Sequence, residues 1–553
     1  MKNRTDALRQ VASQRFDVCV IGAGATGAGC ALDAQLRGFR TLLIDAGDFS
    51  SATSSASTKL AHGGVRYLQQ ALTDLDLGQL RVVWHALQER RRMIENAPHL
   101  VHPLEFVVPC FSGLEAVYYG FGLKLYDWIA GESGLGASRV LSAGAARSLL
   151  PILNGNGLTH AVTYFDGQFD DARYSVTLVK TFSGASGEAA NYLRVVGFEK
   201  GSDGKLRVAY VEDALSRAKM VVQARVFVNA TGPFSDAVRA LATPGSPSRL
   251  VLSKGSHILL PMNGGINTAL LIPETEDGRV IFAIPWLGRL LVGTTDTEAM
   301  PDDEIIVTRE EAEYLLRHLN RYLSREYETG EIVSAFAGVR PLLRAAHPTR
   351  TKKLIRDHEV ITDAASGLIS ILGGKWTTYR AMAEDTIDRV QHELGTELRP
   401  SATAHHRLAG AEGYAPEYWQ TLARENSLSE ATARHLARKY GTQAHAVLEI
   451  SGEKSELGDP IVLGAPQIQA EIVYAVRHEM AMTIEDVLAR RIGLQLFDWK
   501  LAMQAASVVA SHLSRELGWT EEHKAAAVRA YVGKIEHMWR AIGLAGSGEC
   551  ARI

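Results

Sequence analysis

The stretch RFDVCVIGAGATGAGCALDAQLRGFRTLLIDAGD, residues 15–48, constrains the fold more than any other part of the chain. Phe16 to Ile21 is a short apolar, partly β-branched run that stops at glycine, which predicts a buried strand. Gly22, Gly24 and Gly27 follow as G-x-G-x-x-G, Ala28 to Arg37 reads as helix, Gly38 ends it, and RTLLID is a second strand closing on Asp45. In this β-α-β order each glycine has a physical task. The first allows the tight turn, the second lets backbone approach a pyrophosphate, and the third lets helix pack on strand. The helix N-terminus offers unpaired N–H groups to phosphate oxygens. Asp45, 23 residues beyond Gly22, is placed to hold a ribose hydroxyl pair. The motif predicts a dinucleotide site and leaves FAD and NAD both open.

Directly after the acid comes SSATSSASTKLAHGGVRYLQQ, residues 50–70, with five serines and two threonines. Such a run is either a solvated linker or backbone kept bare to lie along a cofactor. Its ending in KLAHGGVRYL, where glycines alternate with apolar and aromatic residues, signals close packing and favours the second reading. Together, IGAGATGAGCALDAQLRG and ATSSASTKLAHGGVRYL resemble the FAD-dependent glycerol-3-phosphate dehydrogenases, including the family's D-x-x-x-R-G ending at Asp33, Arg37 and Gly38. Ala23 departs from that pattern, where the family often has another glycine, but it occupies a free position of the turn. A second family signature, GGKWTTYRAMAEDTI, spans residues 373–387, and VNATGPFSDAV (228–238) resembles the turn by which related flavoproteins bring a later strand onto the cofactor.

The resemblance implies an α/β fold. A Rossmann-like FAD-binding domain is interleaved with an antiparallel-sheet substrate domain over residues 1–392. A linker at 393–410 and an all-α domain at 411–553 complete it. It implies FAD contacts from Gly22, Gly24, Gly27, Asp45, Thr53, Ser54, Ser55, Lys59, His62, Gly63, Ala230, Gly232, Gly374, Lys375 and Thr377. It also implies oxidation of sn-glycerol 3-phosphate to dihydroxyacetone phosphate, with hydride passing from C2 to flavin N5. A phosphate needs cations, and the planar guanidinium fork suits it. Arg340 in AGVRPLL, Arg356 in KLIRDHEV, and Arg66 with Tyr67 in GGVRYL are the substrate-side candidates. Lys375 in GGKWTT would stabilise reduced flavin or a substrate oxygen. His257 in LSKGSHILLP is the candidate base, its ordinary proton affinity suiting transfer at neutral pH.

Composition narrows the partners. A formal net charge of −3 argues against a general nucleic-acid binder. The four cysteines form no C-x-x-C or zinc spacing, and no metal-ligand set is expected. No apolar h-region opens the chain and no uncharged run reaches the roughly 18 residues of a spanning helix, so membrane contact would be peripheral. LEAVYYGFGLKLYDWIAG, residues 114–131, is aromatic-rich and suits an interfacial helix or a core helix. The resemblance implies electrons passed to membrane quinone at the inner face of the cytoplasmic membrane. An oxygen-using glycerol-3-phosphate oxidase, an amine or amino-acid oxidase and a non-catalytic FAD scaffold remain the alternatives, and a homodimer is left open. In local detail, IFAIPWLGRLLVG reads as a hairpin turning at Leu287-Gly288. Thr308 with Glu311, and Ser427 with Glu430, read as capping boxes.

Overall fold

The computed structural model describes residues 1–64, 77–262, 265–344 and 358–544. Arg66, Tyr67 and Arg356 therefore lie outside the described residues. Two sheets are built in alternation along the chain. β1 (Arg15–Ile21), α1 (Ala25–Leu36) and β2 (Thr41–Ile44) form the expected crossover, with β1 and β2 parallel. α1 is lined with Ala and Gly, and nine of its residues are buried. A Cβ on Gly29 would already stand 3.0 Å from the Tyr379 ring, so the small side chains are what let α1 lie flat against a later helix.

After the crossover, the helix α2 (Gly113–Ala130) and the buried helix α3 (Asp171–Gly184) precede the long strand β3 (Lys219–Asn229). β3 returns to pair parallel with the free side of β1, placing Ile21 opposite Asn229. β4 (Leu250–Pro261), β5 (Ile281–Trp286), β6 (Arg289–Gly293) and β7 (Ser334–Leu343) belong to the second sheet, where β4 runs antiparallel between β6 and β7. The hairpin β5–β6 turns at Leu287 and Gly288, both with positive φ, as its right-handed twist requires. This sheet is antiparallel except where the strand Thr268–Ile272 runs parallel to Val101–Cys110, a departure from the purely antiparallel expectation. β8 (Ile369–Gly373) then rejoins the first sheet, parallel to β3, and leads into α4 (Tyr379–Leu394).

Beyond α4 the chain loses regular structure, yet it is pinned. Arg399 donates to the Arg37 carbonyl at 2.7 Å, and Leu408 is buried. From Tyr418 onward the described elements are helical, as expected. α5 (Glu430–Tyr440) starts differently from the sequence expectation: its cap is Ser429, which accepts the Thr432 N–H. Ser427 is instead the left-handed terminal residue of the preceding helix. The helices pack on the outer side of the second sheet. Ile258, Leu260 and Val292 share one apolar cluster with Trp499, Val509 and Leu513.

Candidate active site

The register of the first sheet explains why glycine turns far apart in sequence meet. β1, β3 and β8 are adjacent parallel strands, and each ends in a turn: Gly22, Ala230 and Gly374. Ligands of open parallel sheets bind at such carboxyl ends. Gly22 has φ +99°, and a Cβ there would stand 2.6 Å from the Ala230 carbonyl. A Cβ on Gly27 would fall 1.8 Å from the Gly22 carbonyl, and one on Gly24 2.8 Å from Ser54 Oγ. At Gly22 and Gly27 the obstacle is backbone, so the turn tolerates no side chain there, whereas at Gly24 the Ser54 hydroxyl would have to move. Asp45 is held on the same side, its carboxylate accepting the N–H groups of Ala23 (2.6 Å) and Gly47 (2.9 Å). Burial pushes its pKa up to about 6, against the pull of those two donors.

A cavity of about 550 Å³ runs along these turns, lined by Gly22, Gly24, Asp45, Thr53, Ser54, Ala230, Gly232 and Gly374. It shares Thr53, Gly373, Gly374, Lys375 and Trp376 with a second cavity of about 230 Å³. The larger cavity, along the glycine turns, is a channel that meets a smaller chamber at these shared residues. The glycine-capped α1 N-terminus, where Ala25 N–H is held by Ser54 Oγ at 2.9 Å, the excluded Cβ positions and the half-buried acid beside it fit FAD.

The serine run forms the wall between the two cavities. Thr53 Oγ1 donates to the Val339 carbonyl at 2.6 Å, and Trp376 Nε1 donates to the Ser54 carbonyl at 2.9 Å. Ser57 gives both its N–H and its hydroxyl to Asp171, at 2.9 and 2.6 Å. The run is thus a fixed wall and not a linker. Four residues expected to touch the cofactor, Gly27, Lys59, Ser55 and Gly63, line neither the channel nor the chamber. Gly27 is buried against the Gly22 carbonyl and serves packing. Lys59 is fully buried, its ammonium bonded to Asp171 and to the Ser55 carbonyl (2.8 Å), so it staples the run from behind. Ser55 closes a local turn by bonding to the Ala52 carbonyl. Gly63 is a packing glycine, where a Cβ would strike the Tyr126 hydroxyl at 2.2 Å. His62 and Thr377 do line the chamber.

His257, Arg340 and Lys375 come from β4, β7 and the turn after β8, and all three line that chamber. His257 sits between its cross-strand neighbours Gly293 and Phe336. The Phe336 ring stacks on it at 4.7 Å and 11°, and a Cβ on Gly293 would be 2.1 Å from the imidazole. Its Nε2 bonds to Thr58 Oγ1 at 2.9 Å. Burial, then the positive charges of Arg340 and Lys59, push its pKa well below the usual value, so the ring is neutral. Arg340 is partly exposed and oriented by Thr294 Oγ1 (2.8 Å) and the Thr295 carbonyl (3.2 Å), with Asp296 nearby at 3.6 Å. Gly255 leaves the space the guanidinium occupies, since a Cβ there would be 2.2 Å from it. Lys375 precedes the short helical turn Trp376–Thr378 that runs into α4.

Sequence reasoning passed over Thr58, Phe336 and the Thr294-Thr295 pair. Thr58 lay inside the serine run and Thr294-Thr295 at the end of the recognised hairpin. Phe336 becomes visible only through strand register. A third cavity of about 570 Å³ shares Thr58, Leu60, His62 and Arg340 with the chamber and continues under α2, lined by Leu114, Val117, Tyr118 and Phe121.

Comparison with known proteins gives a consistent result. A family model described as FAD dependent oxidoreductase matches residues 17–380. One described as the C-terminal domain of alpha-glycerophosphate oxidase matches residues 401–524. The chain is 39% identical over 524 residues to the mitochondrial glycerol-3-phosphate dehydrogenase of Homo sapiens, covering 93% of this chain and 72% of that protein. It is 38% identical to the mitochondrial counterpart of Arabidopsis thaliana, covering 93% of this chain and 85% of that one. The structure superposes on glycerol-3-phosphate dehydrogenase from Bacillus halodurans complexed with FAD, with a TM-score of 0.80 and 30% identity, covering 98% of this chain and 97% of that one. An FAD-bound L-alpha-glycerophosphate oxidase from Mycoplasma pneumoniae shares the fold at TM-score 0.54 and 14% identity, over 71% of this chain and 98% of that one.

Proposed function

The chain belongs to the FAD-dependent glycerol-3-phosphate dehydrogenase family, and from that premise we propose how its own residues oxidise sn-glycerol 3-phosphate to dihydroxyacetone phosphate. FAD, when bound, supplies the acceptor for the hydride leaving C2. One observation carries the residue assignment: His257, Arg340 and Lys375, from three distant stretches, line one chamber that opens from the dinucleotide channel.

Arg340, held as a preoriented fork by Thr294 and Thr295, anchors the substrate phosphate. His257 accepts the C2 hydroxyl proton. A base with so low a proton affinity needs help, and the substrate provides it: phosphate on Arg340 offsets one of the two cations that depress the imidazole. Lys375 lends positive charge to an oxygen or to the electron-rich cofactor edge, and the following helix start adds its N–H groups. The test is an anaerobic titration of the yellow holoenzyme with sn-glycerol 3-phosphate. Prompt loss of the visible flavin absorption is expected. A flavin that stays oxidised would overturn the substrate reading.

For the electron acceptor the reading is membrane quinone, with the protein attached peripherally at the inner face of the cytoplasmic membrane. Support comes from α2. Leu114, Val117, Phe121 and Trp128 form an exposed apolar stripe, with Leu114 85% and Trp128 79% exposed. The first three also line the cavity that reaches the chamber wall. Among the described residues no helix is long and apolar enough to cross a membrane, so an apolar acceptor would reach the chamber from a surface-bound position. Flotation with anionic liposomes tests this. Phe121→Ser with Trp128→Ser should lose the vesicle-bound fraction and quinone turnover, while substrate-driven bleaching persists. Unchanged flotation and quinone turnover would remove α2 from the interface.

A further inference from the structure

The turn that holds Asp45 has two sides. Asp45, Ala46, Gly47 and Ser50 line the dinucleotide channel. Asp48 points the other way and is buried against the helical C-terminal region. There it meets two consecutive arginines. Arg490 Nε donates to Asp48 Oδ2 at 2.6 Å, and Arg491 grips both oxygens, with Nη2 2.8 Å from Oδ1. Consecutive residues of an α-helix point about 100° apart and do not share a target. Here both long side chains nonetheless reach the one carboxylate, from the last two residues of a π-helix, Asp486–Arg491. Such turns are uncommon and concentrate at functional sites.

The clamp is itself braced. Arg490 also bonds to Asp486 at 2.6 Å, and Arg491 to the Glu479 carbonyl at 2.8 Å. Asn191 Nδ2 bridges Asp48 (3.1 Å) and the Met480 carbonyl (2.8 Å). Burial works to raise the Asp48 pKa, but Arg491 and Arg490 outweigh it and hold the carboxylate ionised, at about 2. Two residues along the chain, Ser50 N–H donates to the Ala23 carbonyl of the glycine turn.

We propose that Arg490 and Arg491 are positioning residues for the cofactor: the helical C-terminal region fixes, through Asp48, the turn that presents Asp45 and the glycine loop to FAD. The helical region, which contributes none of the channel's lining side chains, would thereby set cofactor affinity. This rests on the channel being the FAD site, so the wild-type apoprotein is titrated with FAD first, by quenching of flavin fluorescence.

The variants are Arg491→Met, Arg491→Lys and, in the same helical region, Arg477→Met, which removes a solvent-accessible pairing with Glu453 and Glu516 and none of the contacts to Asp48. All are measured below the melting temperature of each apoprotein. Arg491→Met should raise the FAD dissociation constant at least tenfold, Arg491→Lys should recover part of that, and Arg477→Met should bind FAD as wild type does. If Arg491→Met does not fold, Asp48→Asn, which keeps the side-chain shape and removes its charge, should show the same weakening. Wild-type binding together with unchanged FAD affinity in the folded Arg491→Met or Asp48→Asn protein would overturn the proposal. Failure of the wild type itself to bind FAD would instead overturn the site.

Discussion

At the scale of single residues, the chamber is defined as much by what glycine leaves out as by what the charged side chains supply. Gly293 has negative space on one face of His257 and Phe336 fills the other, so the imidazole has one place to be. Gly293→Ala should evict the ring and lower kcat by about the 10²- to 10⁴-fold that a positioned base contributes, while leaving the flavin spectrum intact. His257→Gln should lie in the same range. Single-turnover reduction of the flavin reads both, and near-normal rates in both would dismiss His257 as the base. Because the free-enzyme imidazole is neutral well below its usual titration range, the acid limb of kcat/KM should lie below about pH 6.5. Arg340→Ala acts on a different quantity. Losing a charge-assisted fork to phosphate should cost about 2 to 4 kcal/mol, roughly a 30- to 700-fold rise in KM. Arg340→Lys should recover part of this, since a lysine keeps the charge and loses the two-pronged geometry. Equal KM values across the three proteins would move the phosphate elsewhere.

At the scale of elements, the serine run shows why a segment without hydrophobic periodicity can still be rigid. Its backbone is held by Asp171, the first residue of α3, which receives Ser57 and the buried Lys59. Lys59 in turn lies 4.8 Å from the centre of the Phe336 ring that stacks on His257, so this ion pair sits directly behind the proposed base. Removing one partner of a buried pair strands the other charge, at about 3 to 5 kcal/mol. Asp171→Asn should therefore destabilise by that amount in urea, and adding Lys59→Met should restore most of it. A double variant no more stable than the single would mean the loss comes from Ser57 and not from the stranded ammonium. Caps test a smaller effect. Ser429→Ala should cost about 1 kcal/mol, whereas Ser427→Gly should be neutral or stabilising, because Ser427 occupies a left-handed position with φ 53°. The S-x-x-E spacing from Ser427 to Glu430 predicts the cap at Ser427. Ser429 lacks a glutamate three residues on, yet the chain direction set by the preceding left-handed turn makes it the cap.

At the scale of the whole molecule, the cofactor half was legible because its motifs are local: strand, glycine turn, helix and acid follow one another within residues 15–48. The chamber was legible only as candidates, since His257, Arg340 and Lys375 meet through the register of two sheets that no local pattern specifies. The seam between the early chain and the helical region was not legible, and it carries a titratable group. His99 is buried beside the crossing of Gly410 and Gly441, with a Cβ on either glycine 3.2 or 3.0 Å from its ring. Neither ring nitrogen has a hydrogen-bond partner among the described residues. Burial, then the charge of Arg173, pushes its pKa down to about 3. Above about pH 6.5 the ring is neutral both folded and unfolded, and its titration leaves stability untouched. Below that, the unfolded chain takes up a proton that the folded seam refuses, so stability falls as pH falls. At pH 5 the deficit from this one group is about 2 kcal/mol. His99→Phe keeps a planar ring without the titration, and it should also gain stability at pH 8 by removing two unpaired polar atoms. Urea unfolding at pH 8 and pH 5 decides the matter. The variant should lose about 2 kcal/mol less than wild type on going to pH 5, and parallel losses in both proteins would show that the seam does not sense pH through His99.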